Sequence, residues 1–484
     1  MKLNQLLKDV NVLKTNVQPD MEITSVVYDS RKVIPGCMFV AVVGFATDGN
    51  KYIPMALQKG AAVVVTAQPQ DDSVPYVQVA SDRLALAQIG CNFYDHPGDS
   101  MQIIGITGTN GKTSSTLLLK HVLECVYGAK VGLIGTMENL IGHTPIPTER
   151  TTPESFDLQA LLAQMRDAGC RYVIMEVSSH ALCLDRVAGL QYAVGAFTNL
   201  TEDHLDFHKT MEDYCDAKAE LFARCEKAVA NLDDEWFDRI TKKAACPMIT
   251  TSVKGDGDLK AGDLELHSDG ISFTACYNNE TVAVTLPIPG QFTVYNALTV
   301  IGCALQLGIS LANCAAALKT AKGIKGRVEV VPTPGKDYTV LIDYAHTPDG
   351  LENVLLAVKH FCKGRLIAVF GCGGDRDPVK RPIMGRIGTE IADYAIITSD
   401  NPRTEDPMKI IEDIRKGVDL TKNTFEILEN RPKAIYRAMD IAEKNDIIVL
   451  AGKGHETYQE ICGVKHHLDE REVVAAYLEE TRNG

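Results

Sequence analysis

The chain has 484 residues, of which 45% are hydrophobic and 23% are charged. These values are ordinary for globular proteins and exclude a disordered chain, a collagen and a small disulfide-stapled scaffold. A formal net charge of −14 argues against nonspecific nucleic-acid binding, so an anionic substrate would need local basic groups. At roughly 150 residues per domain, the length predicts about three domains.

The 14 cysteines are scattered, and no Cys-x-x-Cys pattern exists. This spacing argues against zinc-finger and thioredoxin-type motifs and favours buried thiols in a reducing cytoplasm. Residues 281–318 carry no charge, but prolines, glycines and amides interrupt them. We therefore expect a strand end, a turn and two buried helices there, in a cytoplasmic protein with no membrane or nucleic-acid partner.

In the first hundred residues, short apolar runs such as 37–43 and 61–66 alternate with turns, and 96–99 is typical of a linker. Next comes a strand–turn–helix pattern, and further strands follow with helical segments between them. The predicted segments are a strand at 101–107, a glycine-rich turn at 108–111, a helix at 112–126 and strands at 171–177, 193–199 and 227–231. This alternation predicts an α/β domain with a largely parallel sheet, onto which 256–287 adds antiparallel strands.

A second boundary falls near Gly326-Arg327, beyond which the strand–helix alternation starts again. Strands are expected at 339–344, 365–370, 394–398 and 446–450, with helices at 348–361 and 408–416. The pattern predicts three α/β domains. They are a smaller N-terminal domain at 1–98, a central domain with a mostly parallel P-loop-type sheet at 99–327 and a C-terminal Rossmann-like domain at 328–484.

The sharpest local signal is the segment GITGTNGKTS at 105–114. Glycines let backbone N–H groups close around phosphate oxygens, Lys112 supplies a cation, and the Thr113 hydroxyl can bind Mg²⁺. The strict P-loop pattern requires glycine where Ile106 stands, and the alternative is a tight turn with an exposed lysine. The turn predicts a nucleoside triphosphate, without deciding between a switch, a motor, a kinase and a ligase.

Acidic residues follow two strands of the predicted central sheet. Glu176 ends one strand, where it could hold Mg²⁺ beside phosphates or cap the next helix. After the next strand, EDHLDFH at 202–208 is either a metal or proton-transfer site or a solvated loop.

Taken together and in order, these motifs resemble those of the Mur ligases, ATP-dependent amide-forming enzymes of peptidoglycan precursor synthesis. The family-like blocks are TGTNGKT at 107–113, EVSSH at 176–180, NLTEDHLD at 199–206, Gly326-Arg327, DYAHTP at 343–348 and GKGHE at 452–456. The resemblance covers essentially the whole chain. It implies three domains, ATP and Mg²⁺ as cofactors, and small-molecule substrates, in a protein that we expect to be a monomer.

The loop DNPR at 400–403 resembles that of the branch that joins meso-diaminopimelate to UDP-N-acetylmuramoyl-L-alanyl-D-glutamate, whereas lysine-adding relatives lack the arginine. Diaminopimelate carries an extra carboxylate, which a guanidinium can bind through two parallel hydrogen bonds. Lysine would leave Arg403 without that partner. By itself the loop could be an Asx-type turn. The alternative functions are a lysine-adding ligase, a folylpolyglutamate synthase and a P-loop switch or motor.

The resemblance implies that ATP phosphorylates the D-glutamyl carboxylate and that the amine of the incoming amino acid then displaces phosphate from this acyl phosphate. The implied ATP contacts are Gly108, Thr109, Asn110, Gly111, Lys112, Thr113, Ser114, Asn296, Arg327 and Asp343. The implied catalytic residues are Lys112, Glu176, His204 and Lys218, and the implied Mg²⁺ ligands are Thr113, Glu176, His204 and Lys218 as a carbamate. From its local sequence alone, Lys218 would be an exposed helix lysine.

The remaining implied roles concern the other two substrates. Contacts to the UDP-sugar dipeptide are implied for Ser30, Phe45, Ala46, Thr47, Thr151, Thr152, Ser178 and Arg186. Contacts to the amino acid are implied for Arg376, Asp400, Asn401, Pro402, Arg403, Gly452 and Glu456. Leu184 stands where some family members carry glutamine.

Overall fold

The computed structural model describes residues 1–44, 47–148, 150–267, 269–421 and 424–482. The chain divides into two compact units. The first unit comprises residues 1–259 and 298–310, and the second comprises residues 260–297 and 311–484. The division into three domains at 1–98, 99–327 and 328–484 stays a prediction.

Strands and helices alternate along most of the chain. The strands are β1 (Val12–Thr15), β2 (Val26–Val27), β3 (Met38–Val40), β4 (Val63–Thr66), β5 (Tyr76–Val79), β6 (Gln102–Thr107), β7 (Val131–Ile134), β8 (Asn139–Ile141), β9 (Thr144–Ile146), β10 (Tyr172–Glu176), β11 (Val194–Phe197), β12 (Ala228–Asn231), β13 (Met248–Ser252), β14 (Leu259–His267), β15 (Gly270–Tyr277), β16 (Glu280–Leu286), β17 (Glu329–Val331), β18 (Thr339–Asp343), β19 (Leu366–Phe370), β20 (Tyr394–Ile397), β21 (Phe425–Ile427), β22 (Ile447–Ala451), β23 (Tyr458–Ile461) and β24 (Val464–His467).

The helices are α1 (Leu3–Leu6), α2 (Ile53–Gln58), α3 (Asp82–Phe93), α4 (Lys112–Tyr127), α5 (Ser155–Asp167), α6 (Ser179–Cys183), α7 (Leu205–His208), α8 (Met211–Ala219), α9 (Phe237–Ile240), α10 (Gln291–Gln306), α11 (Leu311–Leu318), α12 (Pro348–Lys359), α13 (Lys380–Ile391), α14 (Pro407–Arg415), α15 (Arg431–Ile441) and α16 (Glu470–Arg482). No helix within the described ranges is both long and apolar enough to span a bilayer. The predicted α/β fold class is confirmed.

The first unit contains two sheets. Its N-terminal sheet has the order β1-β5-β4-β3-β2, in which only β1 runs antiparallel to its neighbour. The apolar runs at 37–43 and 61–66 supply β3 and β4, whose residues are all buried. This burial explains why these segments are continuous apolar runs rather than alternating ones.

The larger sheet of the first unit has the strand order β13-β12-β11-β6-β10-β7-β8-β9. From β13 to β7 all neighbours are parallel, as predicted for a P-loop-type sheet. The hairpin β8–β9 extends this sheet in an antiparallel sense. Strand β6 lies at its centre between β10 and β11, so the loops that follow these three strands emerge at one edge.

The second unit contains a sheet of order β17-β18-β22-β19-β20-β21, parallel except at β17. Alternate residues of its strands pack into two separate hydrophobic clusters. One cluster includes residues of α12, α13 and α14, and the other includes residues of α15 and α16. Helices on both faces of a parallel sheet form the predicted Rossmann-like arrangement. Strands β14–β16 belong mainly to this unit, and β15 and β16 pair antiparallel, as predicted for this segment.

Candidate functional site

The glycine-rich turn between β6 and α4 is held against the segment that follows β11. Gly108 and Gly111 have φ values of 146° and 84°, which L side chains rarely adopt. A Cβ at Gly108 would lie 1.9 Å from the Thr198 hydroxyl oxygen, so only glycine fits. The backbone N–H of Asn110 donates to the side-chain oxygen of Asn199 at 2.9 Å. The turn is therefore rigidly shaped, as a phosphate-binding loop requires.

Two lysines contact this turn from different elements. The ammonium of Lys112, the first residue of α4, donates to the carbonyls of Gly108 and Thr109, both at 2.8 Å. Lys218 of α8 donates to the same Gly108 carbonyl at 2.9 Å and lies over the Tyr214 ring. Lys218 is buried, so its interpretation as an exposed helix lysine is wrong. Burial, together with the nearby Lys112 cation, lowers the pKa of the Lys218 ammonium well below its ordinary value.

Glu176 ends β10 beside the first turn of α4. Its carboxylate accepts hydrogen bonds from the Thr113 hydroxyl at 3.0 Å and from the Thr136 backbone N–H at 2.9 Å and hydroxyl at 3.0 Å. The Thr136 hydroxyl oxygen can accept from the Thr151 hydroxyl, which lies 3.0 Å away. A Cβ at Gly135 would lie 2.5 Å from Glu176 Oε1, which explains the glycine. Thr113 and Glu176 thus place a hydroxyl and a carboxylate together, the oxygen donors that Mg²⁺ prefers.

His204 lies at the edge of this region, before the short helix α7. Its imidazole is partly exposed, 3.5 Å from an Asp203 carboxylate oxygen. Its ring also packs edge-on against those of His180 and Tyr214. The Tyr214 hydroxyl hydrogen bonds with that of Thr109 at 3.2 Å, so aromatic contacts link His204 to the glycine-rich turn. Among the described residues, no group of three or more His, Cys, Asp or Glu side chains is arranged to hold a metal by itself.

Several residues predicted to hold the dipeptide lie beside the Glu176 backbone. The Thr152 hydroxyl donates to the Glu176 carbonyl at 2.8 Å and accepts from the Ser178 N–H at 3.2 Å. Arg186 donates to the Thr152 carbonyl at 3.4 Å. The Ser178 hydroxyl caps α6 by accepting from the Ala181 N–H. Ser178, and not Glu176, therefore caps this helix, so the helix-cap interpretation of Glu176 is wrong.

Three arginines surround one buried carboxylate next to these residues. Glu154 lies 3.4 Å from Arg83, 3.3 Å from Arg150 and 3.4 Å from Arg186. Arg83 also donates to the Leu184 carbonyl at 3.2 Å. The cluster has a local excess of positive charge, as an anionic substrate requires in a chain with a formal net charge of −14. Sequence reasoning missed Arg83 and Arg150, because only the fold brings them together with Arg186.

The N-terminal candidates lie in loops of the first sheet. Ser30 is buried and begins a single 3₁₀ turn. The Asp29 carboxylate caps this turn by accepting a hydrogen bond from the Arg31 N–H. Thr47 is exposed. Phe45 and Ala46 lie outside the described residues. The uridine-side role of these residues stays a prediction.

The family resemblance implies ATP contacts for three residues of the second unit, namely Asn296, Arg327 and Asp343. Asn296 is buried in α10, and the Arg327 guanidinium lies over the Tyr344 ring. The two carboxylate oxygens of Asp343 accept from the backbone N–H groups of Val328 and Ala345, each at 2.8 Å. Burial raises the pKa of Asp343. Asp343 thus fixes the chain directly after Gly326-Arg327, while its contact with ATP stays a prediction.

Loops that follow β19, β20 and β22 converge in the second unit. Glycines allow their close approach. A Cβ at Gly374 would lie 2.0 Å from the Pro402 carbonyl oxygen, and one at Gly452 would lie 2.4 Å from Asp400 Oδ2. Because parallel strands end at one edge of the sheet, these loops form one candidate binding region.

Arg403 lies in this region with a left-handed backbone, at φ 52°. Its guanidinium donates to the Gly374 carbonyl at 2.7 Å and lies 3.4 Å from the Glu460 carboxylate. Its side chain is 22% exposed, so it is held in place yet open to a ligand. Arg376 is exposed nearby and contacts the carbonyl of Asp375 at 3.2 Å.

Asp400, Asn401 and Glu456 form the acidic side of the same region. The Asp400 carboxylate accepts from the Asn401 N–H at 2.6 Å, and the Asn401 amide donates to Glu456 at 2.8 Å. The local turn contact therefore exists, while the role of these side chains in binding the amino acid stays a prediction. Sequence reasoning passed over Glu460 and Lys453, which complete this cluster. The GKGHE block contained Lys453, but it gave no sign that this lysine is buried.

A cavity of about 740 Å³ lies elsewhere in the first unit. Its lining includes Met101, Ala193 and Lys227, which stand at the amino-terminal ends of β6, β11 and β12. The glycine-rich turn follows the carboxyl end of β6, where α/β sheets bind their ligands. The turn, and not this cavity, therefore stays the predicted nucleotide site.

Three family models match the chain. They are "Mur ligase family, catalytic domain" at residues 22–94, "Mur ligase middle domain" at 106–304 and "Mur ligase, glutamate ligase domain" at 326–454. Curated proteins of Clostridium botulinum and Clostridium tetani are each 47% identical over 99% of this chain and 100% of their own length. Both are named UDP-N-acetylmuramoyl-L-alanyl-D-glutamate--2,6-diaminopimelate ligase.

Solved structures are also similar to this chain over most of its length. One of a UDP-N-acetylmuramoyl-L-alanyl-D-glutamate--2,6-diaminopimelate ligase is 31% identical, with a TM-score of 0.75 over 100% of this chain and 99% of that one. A folylpolyglutamate synthase of Mycobacterium tuberculosis, complexed with ADP and AMPPCP, is 18% identical, with a TM-score of 0.61 over 83% of this chain and 95% of that one. This second likeness is one of fold alone.

Proposed function

Because the chain belongs to the Mur ligase family, we propose that it joins UDP-N-acetylmuramoyl-L-alanyl-D-glutamate to meso-2,6-diaminopimelate and converts ATP to ADP and phosphate in the same reaction. The product is a precursor of peptidoglycan. The observation that carries this proposal is 47% identity, across 99% of the chain, to relatives named for this reaction. Three functional segments at 1–98, 99–327 and 328–484, and a cytoplasmic monomer, belong to the same proposal.

The glycine-rich turn and Lys112 bind the triphosphate in this proposal. Backbone N–H groups of the turn and the start of α4 face the phosphates, and the Lys112 ammonium moves from loop carbonyls onto phosphate oxygens. Thr113 and Glu176 would hold Mg²⁺, with His204 and a carbamate on Lys218 as further ligands. When bound, Mg²⁺ supplies positive charge that offsets the repulsion between a carboxylate and the triphosphate.

The nucleotide sugar binds with its peptide end beside the arginines around Glu154. Arg186, Thr152 and Ser178 orient the dipeptide so that its D-glutamyl side-chain carboxylate reaches the γ-phosphorus. That carboxylate displaces ADP and forms an acyl phosphate. The amine of the amino acid then attacks the acyl carbon and releases phosphate. Holding three substrates together supplies much of the rate enhancement.

Arg403 selects the amino acid in this proposal. Its guanidinium would bind the carboxylate at the far end of diaminopimelate, which lysine lacks. Asp400 and Glu456 offer negative charge to the ammonium groups. A buried guanidinium that loses a carboxylate partner costs a few kcal/mol, on the order of a hundredfold or more in selectivity.

The test is a coupled phosphate-release assay with UDP-N-acetylmuramoyl-L-alanyl-D-glutamate, ATP and Mg²⁺, and with diaminopimelate or lysine in turn. We expect release with diaminopimelate and a kcat/KM at least about a hundredfold lower with lysine. Equal use of lysine would favour the lysine-adding alternative. Hydrolysis without nucleotide sugar and amino acid would favour a P-loop switch or motor.

Two variants distinguish the role of the glycine-rich turn from that of the proposed amino-acid region. Lys112→Ala should abolish phosphate release, because the triphosphate loses its cation. Arg403→Ala should raise the KM for diaminopimelate by more than about tenfold and leave the KM for ATP within about twofold of the wild-type value. Unchanged use of diaminopimelate by Arg403→Ala would overturn the substrate assignment.

A further inference from the structure

Lys453 is a completely buried lysine at the centre of the amino-acid region. It follows Gly452 at the end of β22, and its side chain is 0% exposed. A buried ammonium is costly unless hydrogen bonds and opposite charges surround it. Its partners are the Asn401 side-chain oxygen at 3.1 Å, Glu456 Oε2 at 3.2 Å and Asp400 Oδ1 at 3.9 Å. All three partners are candidate amino-acid-binding residues.

Lys453 helps to fix which way the Asn401 amide points. The Asn401 side-chain oxygen accepts from Lys453 and also from the backbone N–H of Glu460 at 2.9 Å. A flipped amide would place its NH₂ group against these two donors, so the oxygen must face them. The NH₂ group is thereby directed to Glu456, to which it donates at 2.8 Å.

Lys453 also lies close to two carboxylates that are both largely buried. The side chains of Asp400 and Glu456 are 8% and 14% exposed. Two neighbouring carboxylates in a poorly solvated region repel each other unless cations lie near them. The buried Arg431 guanidinium attracts both of these carboxylates. The Lys453 ammonium lies near both and attracts both.

The burial of Lys453 excludes direct contact with a substrate. Its ammonium has three protons, and the two hydrogen bonds and the ion pair account for its directions. We therefore propose that Lys453 is a positioning residue for the incoming amino acid, acting through the orientation of Asn401 and the placement of Glu456 and Asp400. This inference rests on the proposed function, because it assigns those residues to the amino-acid site.

The first experiment measures the steady-state kinetics of Lys453→Met, which removes the ammonium and keeps an unbranched apolar side chain. We expect the KM for diaminopimelate to rise at least about tenfold, with kcat within about threefold and the KM for ATP within about twofold of wild type. Lys120→Met is the matched control, because Lys120 is also buried and ion-paired, with Glu124 of its own helix. The control should leave the KM for diaminopimelate unchanged.

A double-mutant cycle distinguishes positioning from general support of the fold. Because part of the effect of Lys453 passes through Asn401, Lys453→Met should raise the KM for diaminopimelate by a smaller factor when Asn401→Ala is already present, at most about a third of the factor seen in the wild-type background. Full additivity of the two effects would overturn the proposal. So would a parallel loss of kcat and of affinity for both ATP and diaminopimelate, since that pattern indicates misfolding.

Lys453→Gln is the second variant, in case Lys453→Met does not fold. Its amide can still donate to Asn401 but carries no charge, so we expect a melting temperature near that of wild type and a KM for diaminopimelate raised at least about fivefold. An unchanged KM in a folded variant, or the failure of both variants to fold, would overturn the proposal. Wild-type protein that turns over no diaminopimelate would instead overturn the proposed function.

Discussion

At the scale of single residues, Lys218 has the most unusual environment in the phosphate-binding region. It is buried, it donates to the Gly108 carbonyl, and its pKa is lowered by burial first and by Lys112 second. A neutral amine is the form that reacts with carbon dioxide, whereas an ammonium does not. The environment of Lys218 therefore fits the carbamate that we propose as a ligand of Mg²⁺.

We predict that Lys218→Ala lowers kcat at least about a hundredfold, because a metal ligand is lost. With ¹³C-labelled carbon dioxide, the wild-type protein should give a carbamate carbon resonance in NMR that Lys218→Ala lacks. Lys227→Ala serves as the control, since Lys227 stands at the amino-terminal end of β12 and its ammonium donates to the Gln306 carbonyl. Wild-type activity in Lys218→Arg would contradict the prediction, because arginine cannot form this carbamate.

His208 makes the stability of the first unit depend on pH. Its ring nitrogen lies 2.8 Å from the Ser179 hydroxyl, and burial first, then the nearby His180, lower its pKa from 6.5 to about 4. In the unfolded chain this imidazole takes up a proton near pH 6.5, while in the folded chain it stays neutral until about pH 4. The unfolded state therefore binds more protons between these values, and stability falls as the pH is lowered through them.

We predict that His208→Gln, which can keep a hydrogen bond to Ser179, flattens this part of the stability curve. Between pH 7 and pH 5 the wild-type protein should lose about 2 kcal/mol more unfolding free energy than the variant. Urea unfolding at the two pH values measures this difference. Parallel pH dependences in the two proteins would mean that His208 carries no such linkage.

At the scale of elements, the sequence predicts a helix or strand best when all the residues that determine it lie in one continuous segment. Helix α4 begins at Lys112, as predicted, and ends at Tyr127, because Gly128 adopts a left-handed φ of 58°. The two helices expected within 281–318 are α10 and α11. Residues that only tertiary structure brings together could not be found in this way. Arg83 and Glu154 are 71 positions apart, and no periodicity or motif links them.

The loop after β7 is a second case in which only tertiary structure brings residues together, here Gly135 and Thr136 with Glu176. Thr136 donates twice to Glu176, and Gly135 lets the loop approach this carboxylate. We predict that Gly135→Ala displaces Glu176, because the new Cβ would lie 2.5 Å from its Oε1. The KM for ATP or the Mg²⁺ requirement should rise at least about fivefold, with less effect on the KM for diaminopimelate.

Gly323→Ala is the control for this substitution, since a Cβ there would meet nothing within 4 Å. Both variants should be compared by titration of Mg²⁺ at saturating ATP, together with their melting temperatures. An unchanged Mg²⁺ requirement in Gly135→Ala would show that Glu176 does not depend on this loop.

At the scale of the whole molecule, the proposed reaction needs residues from both compact units. Lys112 belongs to the first unit and Arg403 to the second. In the proposed function, one chain binds ATP through Lys112 and diaminopimelate through Arg403 in the same turnover. A chain that has lost either residue therefore cannot complete the reaction, even though its other unit is intact.

We predict that an equimolar mixture of Lys112→Ala and Arg403→Ala, assayed at low diaminopimelate, has no more activity than the sum of the two proteins measured separately. Each chain has one defective region, and a monomer cannot take the missing group from another chain. Wild-type protein mixed with Lys112→Ala should likewise give only the activity of its wild-type fraction. Restoration of activity toward a quarter of the wild-type value would instead require sites built from two copies, and it would overturn the expectation of a monomeric enzyme.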